Sequence, residues 1–258
     1  MWPDRPALFA VFCGFEQIDG RREDRIASWV EFGIREVQRL IAAFEKTPDL
    51  QCGWHVGQAA VVFLPMALGK VHFEAIPNPD INLRAILFTL LLFFCGAAGE
   101  EMSFRGFPLQ FLMRGYGPWI SILGTGALFG AAHAINPNSS SLGIANTAGF
   151  GMLFGFALLR SRDLWFPIGM HFGWNAMLPF LGTELSGLTI RLAGYKLVWN
   201  AGDLWSGGSY GIEGSAVTTG ILILLAVAVW KVPVHRGTLF LLDEDELASE
   251  EPPPSHAA

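Results

Sequence analysis

The sequence predicts an all-α protein, a polytopic membrane helix bundle of about six transmembrane helices around a central polar site. Two observations carry that expectation. Hydrophobic residues make up 52% of the 258-residue chain, with 21 Phe and a mean hydropathy of +0.39, well above an ordinary soluble domain. These residues also fall in runs separated by polar turns, and several runs contain ionisable groups, which are expensive at membrane depth and imply a partner or a function.

Charge divides the chain. Of 23 acidic residues, six lie in 243–258, a stretch with no Lys or Arg, so the remainder balances 17 acidic against 17 basic residues. A neutral body leaves no basic patch for nucleic acid. Cys13, Cys52 and Cys95 have neither metal nor redox spacing, which argues against a disulfide framework. Ala7–Phe15 is too short an apolar patch, without a small-residue cleavage site, to read as a secretory signal.

Three regions follow: an N-terminal cytoplasmic or interfacial helical segment (1–55), a membrane helix-bundle domain (56–236) and an acidic, disordered tail (237–258). In the first, Ile26, Trp29, Val30, Ile34, Val37, Ile41 and Phe44 recur at helical spacing within 24–46. That helix either packs on its own protein or lies on the membrane surface. The spans are expected at 56–70, which is short and contains Pro65, then at Ala85–Met113, with Pro108 placed to kink it. The rest are 118–135, 144–159, 164–181 and Ala216–Val232. Six spans put both termini on one side. Taking that side as cytoplasmic places 13 Lys and Arg inside and four outside (Lys70, Arg84, Arg191 and Lys196), in line with the positive-inside rule. Localisation is therefore expected to be multi-pass, in a bacterial-type plasma membrane. Gly126/Gly130, Gly151/Gly155 and Gly169/Gly173 are small-residue pairs suited to close helix approach. The Gly- and Trp-rich segment 182–215 reads as an interfacial loop or a gate over a substrate path.

Three polar clusters sit in the apolar runs. In the first, Glu101 and Arg105 are four apart in the favourable order, so Glu101 has a local partner. Glu100 points about 100° away and has none. The second is Phe129-x-x-x-His133. The third is His171-x-x-x-Asn175, whose side chains share a helical face and can address one oxygen atom, as an oxyanion site requires. A carboxylate, an imidazole and paired donors in low dielectric suit water activation and peptide hydrolysis without a covalent intermediate. His133 falls near the end of its span and Glu100 within its own, so the two meet only if the 29-residue glutamate span (~43 Å at 1.5 Å per residue) is long or tilted.

These three elements, in this order, resemble the CAAX-protease and bacteriocin-processing (Abi) family of intramembrane glutamic endopeptidases. The resemblance covers about residues 85–235. It implies an intramembrane endopeptidase in which Glu100 and His133 hold and activate water. His171 and Asn175 would stabilise the oxyanion, and Glu101, Arg105 and Phe129 would support them. The implied partners are the lipid bilayer and a membrane-anchored or lipidated protein substrate, with no cofactor. Upstream the chain departs from the family pattern, with a single span ahead of the glutamate helix. Two other readings use the same residues. One is a zinc hydrolase with two His and a Glu as ligands, although there is no His-Glu-x-x-His helix. The other is a scaffold or transporter using the polar cluster as an ion site.

Overall fold

The computed structural model describes residues 48–231 together with 233 and 234; the 24–46 stretch and the acidic tail lie outside them. Seven helices of ten or more residues build the described chain. The first, α1 (Pro48–Ala67), begins eight residues before the expected span. The glutamate run is α2 (Leu83–Glu101), a π-turn (Met102–Gly106) and α3 (Phe107–Tyr116). Then come α4 (Pro118–Ala132), α5 (Ser141–Ser161), α6 (Trp165–Phe180) and α7 (Ala216–Lys231).

Boundaries follow local chemistry. Asn82 caps α2 by accepting the Arg84 N–H at 2.9 Å, and Ser140 caps α5 through the Gly143 N–H at 3.0 Å, each satisfying a donor the first turn leaves free. Gly117 turns the chain between α3 and α4 with φ of 76°, a left-handed value glycine adopts without penalty, and Pro118 then opens α4. The expected break near Pro108 falls earlier: the helix widens at Met102–Gly106, and Pro108 sits in the first turn of α3, where its missing N–H costs nothing. The Gln110 amide donates to the Arg105 carbonyl at 3.3 Å beside that wide turn.

Three helical stretches are long and apolar enough to cross a membrane: Leu83–Tyr116 with 34 residues, Pro118–Ile135 with 18 and Ser141–Ser161 with 21. The apolar parts of α1 and α7, Trp54–Ala67 and Ala216–Lys231, are shorter, and α6 has 16 residues. Leu87, Phe88, Leu91 and Leu92 of α2 are exposed. A helix apolar on every side yet largely uncovered fits lipid rather than water. This is an all-α membrane helix bundle.

The tightest helix pair is α4 with α5. A Cβ on Gly126 would come within 2.9 Å of the Met152 nitrogen, one on Gly130 within 2.8 Å of the Ile144 oxygen, and one on Gly151 within 2.9 Å of the Gly126 Cα. Glycine is required there so that the backbones can touch. Gly155 and Gly173 have ordinary room, with nearest atoms at 3.4 and 3.5 Å. The main core joins Val61 and Val62 of α1, Phe154 of α5, Trp174 of α6 and Leu225 of α7.

Segment 182–215 is more ordered than a plain loop. Its strand β2 (Tyr195–Trp199) pairs antiparallel with β1 (Val71–Ala75), Val71 opposite Trp199 and Ala75 opposite Tyr195. The Tyr195 hydroxyl donates to the Phe180 carbonyl at 2.7 Å, tying this small sheet to the end of α6. Neither strand was anticipated, since each is a five-residue piece whose partner lies over a hundred positions away.

Candidate active site

Glu101 closes α2, and its side chain and that of Arg105 are both fully buried. Arg105 Nη1 donates to Glu101 Oε1 at 3.1 Å and Nη2 donates to the Gly151 carbonyl at 2.8 Å. The guanidinium lies 4.3 Å from the Phe129 ring centroid, with Phe104 and Phe154 at 5.6 and 5.7 Å. Ion pair, backbone acceptor and aromatic faces together make a buried cation tolerable. The expected Glu101–Arg105 pair is therefore present.

Glu101 has a second partner that helical spacing could not reveal. His171 Nδ1 lies 2.9 Å from the same Oε1, from a residue on α6. The His171 ring stacks on Phe154 at 5.1 Å and meets the edge of Phe129 at 5.9 Å. His133 follows the last residue of α4, and its Nδ1 lies 2.8 Å from the Phe129 carbonyl. A carbonyl and a carboxylate only accept, so both rings carry the proton on Nδ1. The second nitrogen of each ring, Nε2, points away from that partner.

Both Nε2 atoms face Glu100. Its Oε2 lies 3.7 Å from His133 Nε2 and 3.9 Å from His171 Nε2, and its side chain is 41% exposed where Glu101 shows 0%. These distances exceed a hydrogen bond, so the three groups converge without touching. The 34-residue stretch brings Glu100 to the end of α4, so the two depths inferred for Glu100 and His133 meet. Glu100, Glu101, Arg105, Phe129, His133 and His171 thus form one cluster. Asn175 lies one turn beyond His171 on α6, half-buried, and makes no hydrogen bond among the described residues. Among those residues no group of three or more His, Cys, Asp or Glu could hold a metal ion.

A second polar group escaped the sequence reading. Glu213, in segment 182–215, is only 5% exposed. Its Oε1 accepts the Trp174 indole N–H at 2.9 Å, and its Oε2 accepts the Ser186 main-chain N–H and the Ser186 hydroxyl. Burial pushes its carboxyl above the ordinary range, while the donors from Trp174 and Ser186 and the nearby His133 pull the other way. Burial and the Glu213 charge likewise raise the Tyr210 phenol. No motif surrounds Glu213; its only sequence signal is a lone carboxylate three residues before an apolar helix.

Glu101→Gln is expected to lower the stability of the detergent-solubilised protein by roughly 1.5–3 kcal/mol, the range for hydrogen bonds to charged groups. The amide keeps an acceptor but no charge to neutralise Arg105. A melting temperature equal to wild type would remove Glu101 from this supporting role.

Fold and cluster define the class: an integral membrane protein whose helices bring two carboxylates and two oriented imidazoles together at one site. Residues 82–177 match the family model of Rce1-like type II CAAX prenyl endopeptidases, the family that the three motifs resemble. The matched stretch runs from the cap of α2 into α6 and contains all seven residues of the three motifs, though not Glu213. That family is one of membrane proteases. No curated protein and no solved structure matches the chain.

Proposed function

We propose that this protein is an intramembrane glutamic endopeptidase that hydrolyses membrane-anchored or prenylated protein substrates with water activated by Glu100. The observation that carries this reading is the contrast between adjacent glutamates. Glu101 is fully buried and its Oε1 is held by Arg105 and His171, whereas the Glu100 side chain is 41% exposed and its Oε2, without a hydrogen-bond partner, is flanked by two Nε2 atoms. A general base needs reach and an unspent lone pair, and Glu100 has both.

The chemistry proceeds in two steps. A water between Glu100 and His133 donates one hydrogen to each acceptor. Its oxygen attacks the scissile carbonyl carbon as Glu100 takes one proton, and the carbonyl π electrons move to oxygen. The tetrahedral intermediate collapses, the C–N bond breaks, and the amine leaves with the proton Glu100 had taken. Asn175 supplies a neutral N–H to the oxyanion. His171 donates there only through an Nε2 that carries a proton, and the Glu101 carboxylate at Nδ1 orients the ring for it. The distribution of Lys and Arg supports placing both termini in the cytoplasm.

Zinc is the second reading, because two imidazoles oriented through Nδ1 with free Nε2 atoms resemble metal ligands. The test uses purified protein in liposomes with a fluorogenic prenylated peptide ending in a CAAX sequence. Cleavage is expected, and it is expected to persist after exhaustive chelation. Loss of activity restored specifically by stoichiometric zinc would replace the glutamate mechanism with metal hydrolysis. Failure to cleave the peptide would argue for a scaffold or transporter.

A further inference from the structure

Glu213 stands apart from the six clustered residues, yet it too is bonded to several elements. Its carboxylate holds Trp174 of α6 and Ser186 of the external segment. Its main-chain carbonyl accepts the Asn146 amide of α5 at 2.7 Å. The same amide donates to the Ser215 carbonyl at 2.9 Å, and Asn146 Oδ1 accepts the Thr219 hydroxyl of α7 at 2.7 Å. Three donors converge on the two carboxyl oxygens, an arrangement that would lose a bond with an amide in place of the acid. A loop could be fastened without burying an ionisable group, so the carboxyl calls for a reason beyond fastening.

Trp174 supplies that reason. It lies three residues after His171 and one before Asn175, and its ring packs 4.4 Å from Phe150. The indole is thus gripped by the core on its face and by Glu213 at its N–H, which sets the rotation of α6 about its axis. Side-chain tips stand about 5–6 Å from a helix axis, so a turn of ~20° would move them by roughly 2 Å. A displacement of about 1 Å at a reacting group can already cost ~10²-fold in rate.

We infer that Glu213 is a positioning residue for the reaction: through Trp174 it holds α6 in the rotation that aims His171 and Asn175 at the site, and it makes that aim depend on the docked external segment. The inference rests on the proteolytic reading above.

A double-mutant cycle with the same prenylated peptide in liposomes tests it, using wild type, Glu213→Gln, Trp174→Phe and the double variant. Trp174→Phe keeps an aromatic ring and removes the indole donor, so it remains informative even if Glu213→Gln folds poorly. Each single variant is expected to lose about 10- to 100-fold in kcat with KM within about twofold. The double variant is expected to be no worse than the weaker single one, because both break the same bond. Multiplicative losses, a change confined to KM, or a lowered melting temperature with unchanged kcat would each overturn the role given to Glu213. A wild-type protein that cleaves while both single variants match it overturns this inference alone. A wild-type protein that leaves the peptide intact overturns the proteolytic reading and this inference with it.

Discussion

Glu100→Gln is expected to reduce cleavage of the prenylated peptide to background while leaving insertion and melting temperature unchanged. General-base catalysis contributes about 10²–10⁴-fold, and an amide of the same shape cannot take up the water proton. Folding should not suffer. The Glu100 side chain is 41% exposed, and its closest ion partners, at 3.7 and 3.9 Å, lie beyond hydrogen-bond range. This separates it from Glu101, whose loss acts on stability, so the two adjacent substitutions should give opposite signatures. Near wild-type turnover by purified Glu100→Gln would remove Glu100 from the mechanism.

Asn175→Ala is expected to lower kcat by about 10²–10³-fold, the usual consequence of one lost oxyanion donor, with little change in KM. The donor would matter only once charge develops on the scissile oxygen, which agrees with a side chain that has no hydrogen-bond partner among the described residues. His171→Ala should cost more than rate, because His171 also accounts for one of the two bonds to Glu101 Oε1. The double variant should lose less than the two single losses combined, since both groups serve one atom. An Asn175→Ala enzyme with raised KM and unchanged kcat would make Asn175 a binding residue instead.

Local spacing exposed much of this site. Glu101 with Arg105, Phe129 with His133, and His171 with Asn175 are each one helical turn apart, so each pair could be placed on a common face before any fold was known. The order of apolar runs likewise located α2 through α7 to within a few residues. What stayed hidden depends on chain folding. The His171–Glu101 bond joins residues seventy positions apart and fixes a tautomer, which changes what His171 can donate. The β1–β2 pairing and the Glu213–Trp174 bond are also long-range, and short strands or lone carboxylates in a Gly-rich segment carry no periodic signal. The π-turn has no sequence signature either, since Met102–Gly106 reads as continuous helix.

That π-turn also bears on how the gene can vary. A π-turn accommodates one residue more than an α-turn, and here it separates the paired glutamates from the buried face of α3, where Leu109, Gln110 and Met113 point inward. Deleting a single codon between Met102 and Gly106 would restore an α-turn. Any other insertion or deletion between Glu100 and Met113, with no wide turn to absorb it, would swing the glutamates by about 100° relative to Leu109, taking Glu100 away from both histidines. Upstream, α2 is bounded by lipid and its length is free to drift with membrane thickness. Insertions and deletions should therefore accumulate before Gly96 in related sequences and be purged between Glu100 and Met113.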